Sequence, residues 1–136
     1  MVREIVHDPM FLQRESEDAT QADLQTAQDL LDTLRANFDR CVGMAANMIG
    51  VTKRIIAIND NGKYLVMFNP EIISKFGEFE TEEGCLSLDV ERKTVRYKTI
   101  KVKYFNENFK QIKRSFSDFT AQIIQHEIDH CNGILI

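Results

Sequence analysis

The sequence is poor in the features that mark special-purpose chains. Six glycines and two prolines among 136 residues exclude a collagen-like repeat or a long flexible linker. No apolar run approaches the ~18 residues that a membrane span requires, so no membrane partner is expected. Met1 to Met10 carry Arg3, Glu4 and Asp8 and lack the apolar stretch of a signal peptide, which points to a cytoplasmic protein. Cysteine is scarce and odd in number: Cys41, Cys85 and Cys131 suit reduced thiols or a metal ligand better than a disulfide framework. No internal repeat or low-complexity tract divides the chain, and its length fits one domain, 1–136.

Charge is balanced toward the acidic side. The net charge of -4 argues against direct contact with nucleic acid, although Lys98, Lys101, Lys103, Lys110, Lys113 and Arg114 form one basic stretch. That stretch reads as the solvated face of a hairpin.

Hydrophobic periodicity changes along the chain. Leu24, Ala27, Leu31, Leu34 and Phe38 are spaced alternately by three and four, after a Thr20/Asp23 capping box, which predicts an amphipathic helix over about Thr20 to Asn37. Arg54 to Asn59 and Lys63 to Phe68 are strand-like and flank Asn61-Gly62, a hairpin turn signal. Ile100, Val102 and Tyr104 alternate with lysines, predicting a half-buried strand that turns at Asn106 to Asn108 into a partner ending near Phe116. A last helix is expected from Ser117 or Asp118, either of which could cap it, to about Cys131, where Asn132-Gly133 stops it. On that helix Phe119, Ile123, His126 and His130 share one face, while Ala121, Ile124 and Ile128 form a second apolar row. The fold class is α+β, with antiparallel β-structure packed around a central C-terminal helix.

Two of the three histidines fall in His126-Glu127-Ile128-Asp129-His130. Residues four apart on a helix differ in direction by only about 40°, so two such imidazoles can converge on one metal ion. Glu127 beside them can take a proton from a water activated by that ion. A third ligand is needed, and the six residues after His130 contain no carboxylate. It must come from upstream. Cys85, in Glu83-Gly84-Cys85-Leu86-Ser87, is the best candidate, because a thiolate binds Zn²⁺ or Fe²⁺ strongly and Gly84 permits a close approach or a positive φ at the bend. Cys131 is a rival that points about 100° away from His130 on the helix, and Cys41 remains open. Gln122 and Ile123, one turn before His126, and Val42, Gly43 and Met44 on an opposite wall are expected to line a small apolar cleft. Ser87 and Asp129 are candidates for orienting the ligands, and Asp129 could equally pair with a nearby cation.

Glu83 to Ser87 and His126 to His130, followed by Gly133, resemble the second and third signature motifs of the peptide deformylases, in a short form. Cys41-Val42-Gly43-Met44-Ala45-Ala46-Asn47-Met48 resembles the first, a Gly-apolar-Gly-apolar-Ala-Ala-x-Gln stretch. The resemblance implies one divalent ion, Fe²⁺ natively and Zn²⁺ or Ni²⁺ in purified protein, held by Cys85, His126 and His130. It implies hydrolysis of the formyl group from N-formyl-methionyl peptides and nascent chains, releasing formate, with the ribosome as a candidate partner. Glu127 would serve as base and then acid, and the backbone N–H of Leu86 would donate to the oxyanion. Three positions depart from the family pattern. Met48 replaces the motif glutamine, and a thioether has no N–H to give; Cys41 replaces the first glycine; and Leu88-Asp89 lacks a proline often found there. Two other readings remain: a relative that binds formyl-peptide with weak or no turnover, favoured by Met48, and a structural metal domain closed by Cys131.

Overall fold

The structure, a computed structural model, describes residues 1–136, apart from the side chains of residues 88–90. The Leu88-Asp89 departure therefore lies outside the described residues. Five antiparallel strands form one sheet in the order β1-β2-β3-β4-β5: β1 Gly43–Ala45, β2 Ile55–Asp60, β3 Lys63–Cys85, β4 Leu88–Phe105 and β5 Gln111–Ser117. Three helices accompany it: α1 Pro9–Leu12, α2 Leu24–Ala36 and α3 Asp118–Cys131. No helix among the described residues is long and apolar enough to cross a membrane.

Local chemistry sets the β2–β3 and β4–β5 turns. Asn61 and Gly62 take φ of 53° and 95°, the two left-handed positions of a tight hairpin turn, and join β2 to β3 in the expected place. Asn106 caps the β4–β5 turn by accepting from the backbone N–H groups of Asn108 and Lys110. Leu86-Ser87 is the turn between β3 and β4, so Cys85 stands at the very end of a long strand.

The sheet carries a core on both faces. Ile56 and Ile58 of β2 pack with Ile100, Val102 and Tyr104 of β4 and with Ala121, Ile124 and Ile128 of α3. Ile55 and Ala57 point the other way, to Leu30 and Leu34 of α2 and to Met44 of β1. Strand side chains alternate between faces, so a strand covered on both reads as an unbroken apolar run. That is the reason for Ile55-Ile56-Ala57-Ile58, all fully buried.

The expectations for both helices need correction. The buried face of α2 is Ala27, Leu30 and Leu34, with Thr33 and Asp29, while Leu24 and Phe38 are exposed. A strict 3.5-residue spacing drifts around a 3.6-residue helix, and Phe38 falls beyond the end of α2. The Thr20/Asp23 capping box is present, but it opens a 3₁₀ turn, Gln21–Asp23, that leads into α2. For α3, Ser117 is the N-cap residue without a side-chain capping bond, and Asp118 has φ of 56°; neither caps by its side chain. Phe119, in the first turn of α3, is exposed, whereas Ile123, His126 and His130 on the same face are buried.

Candidate metal centre

His126 and His130 lie on consecutive turns of α3 with their Nε2 atoms 3.0 Å apart. The Cys85 thiol reaches them from the end of β3, and the three potential ligand atoms all lie within 4.8 Å of one another. Two imidazole nitrogens on a tetrahedral ion at about 2.05 Å would stand about 3.3 Å apart, so the side chains need only a small adjustment to hold one. The backbone N–H of Ser87 donates to Cys85 Sγ at 3.4 Å and so fixes where the sulfur sits. Among the described residues no other group of His, Cys, Asp or Glu converges in this way.

The other two thiols are otherwise engaged. Cys131 is fully buried in the α3 core with Ile124 and Ile128, so the site is not closed by a fourth protein ligand. Cys41 lines the cleft beside the centre, yet its thiol donates to the Gly43 carbonyl at 2.8 Å. Burial, reinforced by the nearby Glu127 charge, pushes that thiol up to about 12, so it stays protonated.

Glu83 organises the ligands, a role the motif did not disclose. Its carboxylate accepts from His126 Nδ1 at 2.8 Å, from Arg96 Nε and Nη2 at 3.0 and 2.7 Å, and from Gln122 Nε2 at 2.9 Å. Arg96, itself buried, also donates to Asp129 at 2.6 Å. A carboxylate only accepts, so His126 carries its proton on Nδ1 and turns Nε2 to the centre. Burial alone would raise the Glu83 carboxyl, but the bonds from His126, Arg96 and Gln122 outweigh it and hold it at about 2. Nothing in the sequence pointed to Arg96. Asp129 takes the cation-pairing role, and the Ser87 hydroxyl lacks a hydrogen-bond partner.

Glu127 is buried against the centre with Oε1 unpartnered. Burial pushes its carboxyl up to about 7, against the opposing pull of His126. It therefore exchanges a proton near neutrality. Gly43 is required opposite it: a Cβ there would sit 2.7 Å from Ile123 Cγ2 and 2.9 Å from Glu127 Oε2. Gly84, by contrast, sits at a register shift between β3 and β4, has no positive φ, and would place a Cβ 3.6 Å from Glu91 Cγ, so neither the close approach nor the positive φ that a glycine permits is used there.

A cleft of about 510 Å³ opens from the centre. Val42, Gly43, Met48, Leu86 and Ile123 line it, as does Gln122, but Met44 does not. β1 alternates its faces, so Gly43 looks into the cleft and Met44 is turned into the α2 core. Met48 is almost fully buried in the cleft wall.

Comparison with known proteins agrees with this geometry. Residues 2–136 match the family model for polypeptide deformylase. The chain is 53% identical to the peptide deformylase of Clostridium beijerinckii over the full length of both, and 40% identical to that of Pseudothermotoga lettingae over 99% of this chain and 81% of the relative. Its fold superposes on a crystal structure of a peptide deformylase from Legionella pneumophila with a TM-score of 0.89 and 36% identity, covering 99% of this chain and 83% of that one. A class I type b peptide deformylase from Acinetobacter baumannii, solved with Met-Ala-Ser bound, gives a TM-score of 0.89 at 28% identity over 99% and 97% of the two chains. Matched from end to end in sequence and in fold, with its Cys, His and His side chains already gathered, the chain belongs to the peptide deformylase family and is a metal-dependent hydrolase.

Proposed function

We propose that the cleft takes an N-formyl-methionyl peptide with its formamide at the metal centre, and that Glu127 moves the proton of the hydrolysis. Cys85, His126 and His130 would hold one divalent ion, ferrous in the cell and replaceable by zinc or nickel. Such an ion supplies a Lewis acid and lowers the pKa of water. Glu127 takes a proton at its carboxylate and returns it to the departing amine nitrogen, leaving formate and a free N-terminus. The Leu86 N–H, at the turn beside Cys85, donates to the oxygen on which charge develops. Val42, Gly43, Met48 and Ile123 enclose the substrate and exclude water. Nascent chains at the ribosome, in the cytoplasm, are the substrates this chemistry serves.

One observation carries the reading: Glu127, its carboxyl near 7 and one oxygen unpartnered, stands beside the gathered ligand set. Formate release from formyl-Met-Ala-Ser by protein loaded anaerobically with Fe²⁺ tests it. Turnover is expected in the wild type, and Glu127→Ala should lose at least about 10³-fold in kcat while still holding the metal. Equal rates in the two proteins would remove Glu127 from the mechanism. Met48 favours a second reading, binding with little turnover, and peptide binding without formate release at full metal occupancy would establish that instead.

A further inference from the structure

The cleft does not end at the metal ligands. Its α3 wall continues outward through Ile123 and Gln122 to Phe119, and among these only Gln122 brings a polar side chain. Gln122 lies one turn before His126, about 6 Å along the helix axis. That is about the reach of the four bonds from a formamide nitrogen to the thioether sulfur of methionine.

The orientation of the Gln122 amide is fixed. Its Nε2 donates to Glu83 Oε2 at 2.9 Å, and Glu83 is itself held by Arg96 and His126. A carboxylate has no proton to offer, so the amide cannot turn its oxygen that way. One N–H of the NH₂ group is used by Glu83 and the second is left for the cleft. The Phe119–Gln122–Ile123 stretch of the cleft wall thus presents one hydrogen-bond donor whose position Glu83 fixes.

Resting on the deformylase reading, we propose that Gln122 is a specificity-determining residue whose second N–H selects first-residue side chains carrying a hydrogen-bond acceptor at the δ position. The methionine thioether is a weak acceptor of this kind, and the oxygen of methionine sulfoxide is a strong one. The aliphatic isostere norleucine fills the same space and offers none. The substrate class therefore extends to formyl-methionine sulfoxide peptides, which an entirely apolar pocket rejects because it would bury an unpaired S=O.

The test compares kcat/KM for formyl-Met-Ala-Ser, formyl-norleucyl-Ala-Ser and the sulfoxide form of the first, in wild type, Gln122→Leu and Gln122→Met. Ratios within one protein are independent of how much of it is folded and metal-loaded. In the wild type, Met should exceed norleucine by about threefold to fivefold, and the sulfoxide should match norleucine or exceed it. In both variants the Met/norleucine ratio should fall to about one and the sulfoxide/norleucine ratio by at least about tenfold. Ratios unchanged within twofold would overturn the assignment. So would rejection of the sulfoxide by about a hundredfold or more in the wild type, a result that needs no variant to fold. If the metal-loaded wild type hydrolyses none of the three, the deformylase reading fails. Calorimetry with the three deformylated peptides then still tests the pocket, and equal affinity for all three overturns it.

Discussion

Replacing Glu83 by glutamine tests whether the metal ligand His126 is held from behind. The perturbation is nearly isosteric, but it converts an acceptor-only carboxylate into an amide with one oxygen. In the wild type four nitrogen donors meet that carboxylate, Nε and Nη2 of Arg96, Nδ1 of His126 and Nε2 of Gln122, with Nε shared between its two oxygens. The amide can serve at most two of these donors well, and it leaves Arg96, a 4% exposed guanidinium, with Asp129 as its only anionic partner. Removing one member of a buried ion pair costs about 3–5 kcal/mol, because the other charge stays buried without compensation. For a domain of this size that corresponds to a fall of about 10–20 °C in the melting temperature. Loss of the bond that orients a ligating imidazole costs a further 10- to 100-fold in metal affinity, roughly. Melting followed by circular dichroism reads the first effect, and competition against a chelator with metal analysis reads the second. The double variant Glu83→Gln/Arg96→Met should recover much of the stability but none of the metal affinity, because it removes the stranded charge without restoring His126. A Glu83→Gln protein that melts within about 2 °C of wild type and binds metal equally well would refute the account.

Three further outcomes follow from the same geometry. Met48→Gln should raise kcat toward the 10²- to 10³-fold that one oxyanion donor contributes, roughly, measured by formate release with the metal content held equal; no gain would mean that the Met48 position does not face the oxyanion. Gly43→Ala should lower stability by about 1–3 kcal/mol and cut kcat by about 10²-fold, since the added Cβ would sit 2.7 Å from Ile123 and 2.9 Å from the Glu127 carboxylate; a fully active, fully stable protein would contradict the contact. In the metal-free protein, burial alone would lower His126, but its bonds to Cys85 and Glu83 outweigh that and hold it at about 10, above the ordinary 6.5. Its stabilisation is therefore complete below about 6.5 and is lost as pH rises through about 10, so the metal-free melting temperature should fall across that window. The metal-loaded protein should show no such fall, because the ion takes the place of the proton.

Local order wrote much of this protein legibly. The Asn61-Gly62 turn, the alternation of Ile100, Val102 and Tyr104, and the helix bearing His126 and His130 are each set by interactions among residues a few positions apart, and each stands where its pattern placed it. The pairing of His126 with His130 needs only the pitch of a helix, and Cys85 followed from the chemistry a metal demands. What the pattern misjudged were the positions where the partner surface decides. Leu24 and Phe38 fit an apolar stripe but are exposed, and Met44 belongs to the α2 core because β1 turns alternate residues to opposite faces.

Glu83 lay in plain view within a motif, yet its task depends on Arg96, thirteen residues along the chain on the returning strand, and on Asp129 of a helix that arrives later still. Hydrogen-bond partners brought together by the crossing of β3, β4 and α3 leave no periodic trace in the sequence. The same holds for the raised carboxyl of Glu127, which burial produces, and for the Gln122 amide, which the Glu83 carboxylate orients. The sequence by itself determined the Asn61-Gly62 turn, the helix that carries the histidines and the ligand types, but not the length of β3, which runs on from the expected Phe68 to Cys85 because it pairs with β4. Only the tertiary structure decided their protonation and aim, because those depend on desolvation and on charges distant along the chain.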